Sequence, residues 1–100
     1  MIKLTITIKV NLVGVLRELA GKSTVSLKID SSAIVKDVIS ELTNSFSSEF
    51  KQALIDSELD DPRPNVLVLL NNKEIGVLDG LKTRVRDGDK LVLIPVSHGG

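Results

Sequence analysis

The chain of 100 residues contains no Cys, Trp or Tyr, two Phe and one His. Without Cys it can form no disulfide framework, thiolate nucleophile, zinc–thiolate site or iron–sulfur cluster. A Ser-His-Asp triad would have to use His98, and a cluster of His metal ligands is excluded. We therefore expect a protein that is not an enzyme, with no metal site and no stably bound cofactor.

The chain also has no excess of positive or negative charge and no long stretch of hydrophobic residues. The 13 Lys and Arg residues balance the 13 Asp and Glu residues, which leaves no basic footprint for nucleic acid. Two Phe offer almost no stacking platform for bases. The longest hydrophobic run, Val66–Leu70, is far too short to span a membrane, and residues 1–4 lack the hydrophobic core of a signal peptide. We expect a cytoplasmic protein without direct contact to nucleic acid or membrane.

What the chain does contain is Leu, Val and Ile, which dominate its 42% hydrophobic residues and suit β-strands. Hydrophobic and polar residues alternate over residues 2–10 and again over residues 25–29, which predicts two strands with one buried face each. The connecting residues 12–20 are ambiguous and are interpreted as a loop with a helical turn. The length is that of one domain.

A helix is predicted after the second strand, because hydrophobic residues recur there at spacings of three and four. They are Val35, Val38, Ile39, Leu42 and Phe46. Asp30, Ser31 and Ser32 are candidate N-caps of this helix. A second, shorter helix is predicted over residues 49–55 from a hydrophobic pair four residues apart.

The C-terminal half indicates turns and three further strands. Residues 56–64 are acidic and then rich in Pro, so we expect an exposed loop before the hydrophobic strand Val66–Leu70. Asn71-Asn72 can adopt the positive φ angles of a tight hairpin turn, followed by a short return strand over residues 74–77. Residues 91–94 form the last predicted strand, ended by a Pro.

This order of elements is an α+β arrangement with a helix on one face of the sheet. The strands Val66–Leu70 and 91–94 do not alternate, so some of their hydrophobic residues must point to the uncovered face. A hydrophobic patch on such a face is typical of a docking surface. The residues that we assign to it are Val66, Val68, Leu70, Leu91 and Leu93. The alternative is that these strands are hydrophobic without forming a docking surface, or that loops partly cover their outer face.

Four segments resemble the ubiquitin-like sulfur carriers and ubiquitin-related modifiers. Residues 77–91 are similar to a Gly-Leu and Asp-Gly-Asp segment of the molybdopterin synthase small subunit, and residues 63–71 are similar to its Arg-Pro strand that ends in an Asn turn. Residues 16–21 match its Leu-Arg-Glu-Leu loop. Residues 94–100 resemble the C-terminus of the carriers, so the resemblance covers nearly the whole chain in order.

The resemblance implies a β-grasp (ubiquitin-like) fold, with a mixed sheet of about five strands and one main helix across one face. Residues 1–95 would form this domain, and residues 96–100 a flexible tail. The ending His98-Gly99-Gly100 is similar to the ubiquitin-related modifiers, a branch tied to tRNA thiolation and to conjugation onto lysines. Pro95-Val96 and the body of the chain are more similar to the molybdopterin branch and to small archaeal modifiers.

The function that the resemblance implies centres on Gly100. An ATP-dependent enzyme of the ubiquitin-activating type would adenylate its carboxylate, with ATP supplied through that enzyme. A sulfur donor would then give a thiocarboxylate, for a molybdopterin synthase large subunit or a tRNA thiolase, or a target-protein lysine would be conjugated. Gly99, His98 and Ser97 would thread into the enzyme, and the absence of a side chain lets Gly99 and Gly100 fit a narrow channel.

Other interpretations stay open at this point. The chain could be a non-catalytic β-grasp adaptor that binds a partner through its open sheet face, with the tail idle or only a frayed terminus. His98 is interpreted as a recognition or spacer residue, with assistance in activation as the alternative. Basic residues beside the last strand are interpreted as surface charge for contact with an acidic partner: Lys82, Arg84, Arg86 and Lys90.

Overall fold

The computed structural model describes residues 4–96. Within them one mixed sheet of five strands lies beside three helices, which confirms the α+β prediction. The elements are β1 (Thr5–Leu12), α1 (Val15–Ala20), β2 (Thr24–Asp30), α2 (Val35–Ser45), α3 (Ser48–Leu54), β3 (Val66–Leu70), β4 (Lys73–Glu74) and β5 (Lys90–Pro95). Over this part of the chain, no helix has the length and hydrophobicity needed to cross a membrane.

The position of β5 defines the sheet. The strand order is β2-β1-β5-β3-β4, so the last strand is the central one. It runs parallel to β1 and antiparallel to β3, whereas β1–β2 and β3–β4 are antiparallel pairs. A parallel pair requires a long crossover, and here most of the chain lies between its two strands. The chain therefore leaves the sheet from its middle and not from an edge.

One face of the sheet carries the hydrophobic core. Along β1, Ile8, Val10 and Leu12 are buried while Lys9 between them is exposed, as the alternation predicts. The helices cover this face with side chains that are completely buried: Leu16, Val35, Val38, Leu42, Phe50 and Leu54. The polar side chains of β1 lie on the opposite face, which we call the open face; Thr5, Thr7 and Lys9 are exposed there and Asn11 is half-buried.

The prediction that a residue among 30–32 caps α2 is wrong, because the helix begins only at Val35. The backbone N–H of Ile34 donates to Oδ2 of Asp37 at 2.9 Å, and the N–H of Val35 donates to the carbonyl of Thr83 at 2.9 Å. Pairing with a part of the chain that is distant in sequence keeps Ile34, the residue before the helix, extended. The helix consequently starts later than its local sequence indicates.

The turn after β3 is as predicted. Asn71 and Asn72 have φ angles of 49° and 71°, in the left-handed region that Asn tolerates better than most residues. The return strand β4 is shorter than predicted and ends at Glu74. The reason is local, because the Glu74 carboxylate accepts a hydrogen bond from the N–H of Gly76 at 2.7 Å and begins a 3-10 turn.

Candidate functional site

The five residues that the sequence assigned to the docking surface lie in the core, so this prediction is wrong. None of them is more than 6% exposed: Val66, Val68, Leu70, Leu91 and Leu93. Successive side chains of a strand point to opposite faces, and this set points toward the helices. Val68 and Leu93 are register partners on β3 and β5, so the two strands contribute their buried sets together.

The hydrophobic residues of the open face are the other half of the same two strands. We call Leu67, Leu69, Val92 and Ile94 the apolar quartet. Leu67 faces Ile94 and Leu69 faces Val92 in the β3–β5 register, which makes the four contiguous. Leu67 is 39% exposed, and the other three are half-buried. The sequence was therefore right that these strands expose hydrophobic residues, and wrong about which ones.

Which alternate residues of β3 and β5 face the core can be recognised only from the tertiary structure. A continuous hydrophobic run contains no alternation from which to choose a face. The register between β1 and β5 supplies the choice, because the buried Val10 and Leu12 lie beside Leu91 and Leu93. Val92 then has to point to the open face with its β1 neighbour Asn11.

Polar and basic residues occupy the other half of the open face. Thr7, Lys9 and Asn11 of β1 lie there, and their β2 register partners include Ser26 and Lys28. The open face is thus divided into an apolar half on β3 and β5 and a polar half on β1 and β2. Such a division is typical of interfaces with a hydrophobic centre and a polar rim.

The tail base, which we define as Pro95 and Val96, is held between two loops. The N–H of Val96 donates to the carbonyl of Asn65 at 3.0 Å, just before β3. On the other side, Pro95 lies next to Gly14, since a Cβ atom built on Gly14 would be 3.6 Å from Cγ of Pro95. Gly14 has φ 60° and ψ −132°, a conformation that strongly favours Gly.

Exposed valines surround this point. Val13 and Val15 flank Gly14, and Val96 continues from β5; each of the three is exposed. They place further exposed hydrophobic side chains near the point where the chain leaves the sheet. The predicted tail residues Ser97, His98, Gly99 and Gly100 lie outside the described residues, and their roles stay predictions.

The acidic loop over residues 56–64 is held by an ion pair of its own. Within residues 4–96 the only ion pair joins Nη2 of Arg63 to Oδ2 of Asp61 at 2.6 Å, and Nε of Arg63 donates to Oδ1 at 3.0 Å. This side-chain hydrogen bonding lowers the pKa of Asp61 against the opposing effect of burial. Across the same part of the chain, no group of three or more acidic or imidazole side chains could hold a metal ion.

Known proteins are similar to this chain in sequence and fold. The family model for Urm1 (ubiquitin related modifier) matches residues 7–100. Small archaeal modifier protein 3 from Haloferax volcanii is 32% identical over 84 residues, which cover 84% of this chain and 88% of the relative. The solution structure of small archaeal modifier protein 1 from Methanosarcina acetivorans is 26% identical with a TM-score of 0.81, covering 97% of this chain and 99% of that one.

The solution structure of Urm1 from Trypanosoma brucei has the same fold. Its TM-score is 0.76 at 24% identity, and the alignment covers 99% of this chain and 100% of that one. These similarities confirm the β-grasp prediction and the resemblance to ubiquitin-like modifiers and sulfur carriers. The chain belongs to the Urm1 family of ubiquitin-related modifiers.

Proposed function

We propose that this chain is a carrier or modifier whose Gly100 carboxylate is activated by an ATP-dependent enzyme of the ubiquitin-activating type. The observation that carries the proposal is the family match, which extends through residue 100 and so includes Gly99-Gly100. The fold supports it, because the last strand is the central one and ends beside the open face. One enzyme can therefore bind that face and receive the chain end that follows it.

The proposed chemistry uses a single group of this chain, the main-chain carboxylate of Gly100. Its oxygen attacks the α-phosphate of ATP, and pyrophosphate leaves to give an acyl-adenylate. Attack of sulfide on the acyl carbon expels AMP and leaves a thiocarboxylate, whereas attack of a lysine amine expels AMP and forms an amide. Gly99 lets the backbone approach the nucleotide closely. Ser97 and His98 act as recognition or spacer residues.

The docking surface in this proposal is the apolar quartet together with the exposed valines near the tail base. A contiguous hydrophobic patch on an uncovered sheet face marks an interaction site. Large hydrophobic side chains near the centre of an interface supply most of its binding energy. Leu67, the most exposed member of the quartet, is the first residue to test.

The modifier branch is favoured over the molybdopterin branch. The matching family model is that of the ubiquitin-related modifier, and the relative that is 32% identical is a small archaeal modifier protein. We therefore propose target-protein lysines or a tRNA thiolase as the acceptors downstream of Gly100, ahead of a molybdopterin synthase large subunit.

Intact mass spectrometry tests the proposal directly. The protein is incubated with the activating enzyme of its own organism, ATP and a sulfur donor, and we expect the mass increase that corresponds to exchange of one oxygen for sulfur. Deletion of Gly99 and Gly100 should abolish this change without unfolding the domain. Leu67→Asp should slow it, while Leu59→Asp, at another exposed Leu in the acidic loop, should not.

The adaptor hypothesis gives the opposite pattern. An adaptor that only docks through its open face would bind its partner equally well after deletion of Gly99 and Gly100. It would show neither an adenylate nor a thiocarboxylate in the mass spectrum. That combination of results would overturn the carrier proposal in favour of the adaptor.

A further inference from the structure

Two lysines lie side by side on the open face. Lys9 of β1 and Lys90 of β5 are register partners in the parallel pair, and both side chains are exposed. Lys28 of β2, the partner of Thr7, adds a third ammonium group to the same face. Like charges directly opposite each other on neighbouring strands destabilise a sheet. We call these three residues the lysine row.

Two acidic residues lie beside this row, Asp87 near Lys9 and Asp89 next to Lys90 in the chain, and the hydrogen bonds of their carboxylates go to groups other than the lysines. Oδ1 of Asp87 accepts the backbone N–H of Thr7 at 2.8 Å. Asp89 accepts the Asn71 side-chain amide on Oδ1 at 2.9 Å and the backbone N–H of Arg86 on Oδ2 at 2.8 Å. Among residues 4–96 the Arg63–Asp61 pair is the only ion pair, so the lysine row forms none there.

The lysine row borders the apolar quartet. Val92 follows Lys90 by two positions on β5 and so points to the same face, and Asn11 follows Lys9 in the same way beside it. A surface that covers the quartet therefore also covers Lys9 and Lys90. Burial of two adjacent ammonium groups against a surface without acidic groups would be strongly unfavourable.

We propose that the protein surface which docks on the open face carries carboxylates against Lys9 and Lys90, next to a hydrophobic contact for the apolar quartet. The identification of that protein as the activating enzyme rests on the proposed function. The charge pattern of its surface does not, because it is inferred from the lysines alone. Complementary charge at an interface raises the association rate and selects the partner. The repulsion between the two lysines is then relieved in the complex and not in the free chain.

A protein partner fits these observations better than a nucleic acid. Phosphates would satisfy the lysine row, but they offer nothing to the apolar quartet. Neither Phe residue of the chain lies on a strand, so the open face presents no aromatic ring for base stacking. The net charge of zero gives no general attraction for a polyanion.

The first experiment tests the repulsion in the isolated protein. Lys90→Glu changes a like-charge pair with Lys9 into an opposite-charge pair, so we expect a higher midpoint of urea unfolding at low salt and a smaller gain at high salt, where charges are screened. Lys22→Glu, at an exposed position between α1 and β2, makes the same change in net charge and is the control. A midpoint for Lys90→Glu no higher than that of the wild type would overturn the inference.

The second experiment measures docking by ATP–pyrophosphate exchange with the activating enzyme. For the double variant Lys9→Glu/Lys90→Glu, we expect the half-saturating concentration to rise about tenfold or more, with a weaker dependence on salt. Lys36→Glu/Lys51→Glu makes the same change in net charge on the helix side and should stay within about twofold of the wild type. Equal effects of the two double variants would contradict the proposed surface.

A third measurement separates this inference from the proposed function, should the wild type fail to be activated. The ¹⁵N-labelled protein is titrated with a synthetic peptide of alternating Glu and Leu, and with bulk tRNA. We expect the peptide to shift the amide signals of Lys9, Lys90 and Val92, and the Lys9→Glu/Lys90→Glu variant to lose these shifts. Peptide shifts confined to the helices, or tRNA binding at the lysine row, would overturn the assignment to an acidic protein surface.

Discussion

The side-chain amide of Asn71 donates a hydrogen bond to Oδ1 of Asp89 at 2.9 Å and joins the turn after β3 to the start of β5. Oδ1 of Asn71 accepts a hydrogen bond from the backbone N–H of Lys90 at 3.0 Å. The backbone N–H of Asn71 donates to the carbonyl of Lys90 at 2.9 Å. These contacts fix where the central strand begins. They thereby help to set the register that puts Lys90 and Val92 on the open face.

Substitution of Asn71 tests this connection. Asn71→Gly keeps the positive φ angle but removes both side-chain hydrogen bonds, so we expect the free energy of unfolding to fall by about 1 kcal/mol. Asn71→Ala also forces a residue with a Cβ into the left-handed region, and we expect a loss of about 2 kcal/mol. Urea denaturation measures both changes. Asn72→Gly is the control, since Asn72 shares the positive φ and its side chain forms no hydrogen bond within residues 4–96, and it should change the stability by less than about 0.5 kcal/mol.

Leu93 and Leu67 form a matched pair on the two faces of the sheet. Leu93→Ala leaves a cavity in the core and should lower the free energy of unfolding by about 3 kcal/mol. Leu67→Ala removes a partly exposed side chain and should lower it by less than about 1 kcal/mol. Denaturation of both variants decides which face is the core. A larger loss of unfolding free energy for Leu67→Ala would mean that β3 and β5 bury the opposite set of side chains.

Gly14 is expected to be sensitive because of its backbone and not because of crowding. An added Cβ would find Pro95 at an ordinary contact distance, but φ 60° with ψ −132° is strained for any other residue. Gly14→Ala should therefore lower the stability by about 2 kcal/mol. Gly21→Ala, with φ 76° and ψ 12° and open space around it, should lose only about 1 kcal/mol. Thermal unfolding compares the two, and equal losses would contradict the strain at Gly14.

The Asp61–Arg63 pair predicts a pH dependence. The pKa of Asp61 is lowered in the folded protein, so its contribution to stability is present above the unfolded value near about pH 4 and is lost as the pH falls through the folded value. Because Arg63 is half exposed, we expect Asp61→Asn to lose no more than about 1 kcal/mol at pH 7. The difference from the wild type should disappear near about pH 2.

Urea unfolding of both proteins across this pH range is the measurement. Asp79→Asn serves as the control, since Asp79 is exposed and its carboxylate forms no ion pair in the described part of the chain. It should show no comparable loss at pH 7. A loss for Asp61→Asn that persists unchanged in acid would show that the charge of Asp61 is not the cause.

Local patterns predicted most of the elements correctly. The alternation before Val10 and the three-and-four spacing from Val35 mark β1 and α2, because in both cases one face is buried and the other is solvated. Asn71 and Asn72 revealed the hairpin turn, since few other residues accept a positive φ so readily. The motifs that resemble ubiquitin-like carriers identified the family, which the family model then confirmed.

Errors arose where a feature depends on distant parts of the chain. The start of α2 is decided by backbone pairing with Thr83, which the residues just before the helix do not reveal. The docking residues were assigned to the wrong face, because β3 is hydrophobic at every position and carries no period of two.

The order of the elements, the family and the Gly99-Gly100 pair on which the proposed chemistry depends can all be recognised in the amino-acid sequence. These follow from periods and motifs that short segments contain. Only the tertiary structure decided that Leu67 and Val92, and not Val68 and Leu91, face outward, and that Lys9 lies beside Lys90. The cause is the parallel pairing of β1 with β5, which joins strands from opposite ends of the chain and fixes the faces of β5; the β3–β5 register then fixes those of β3.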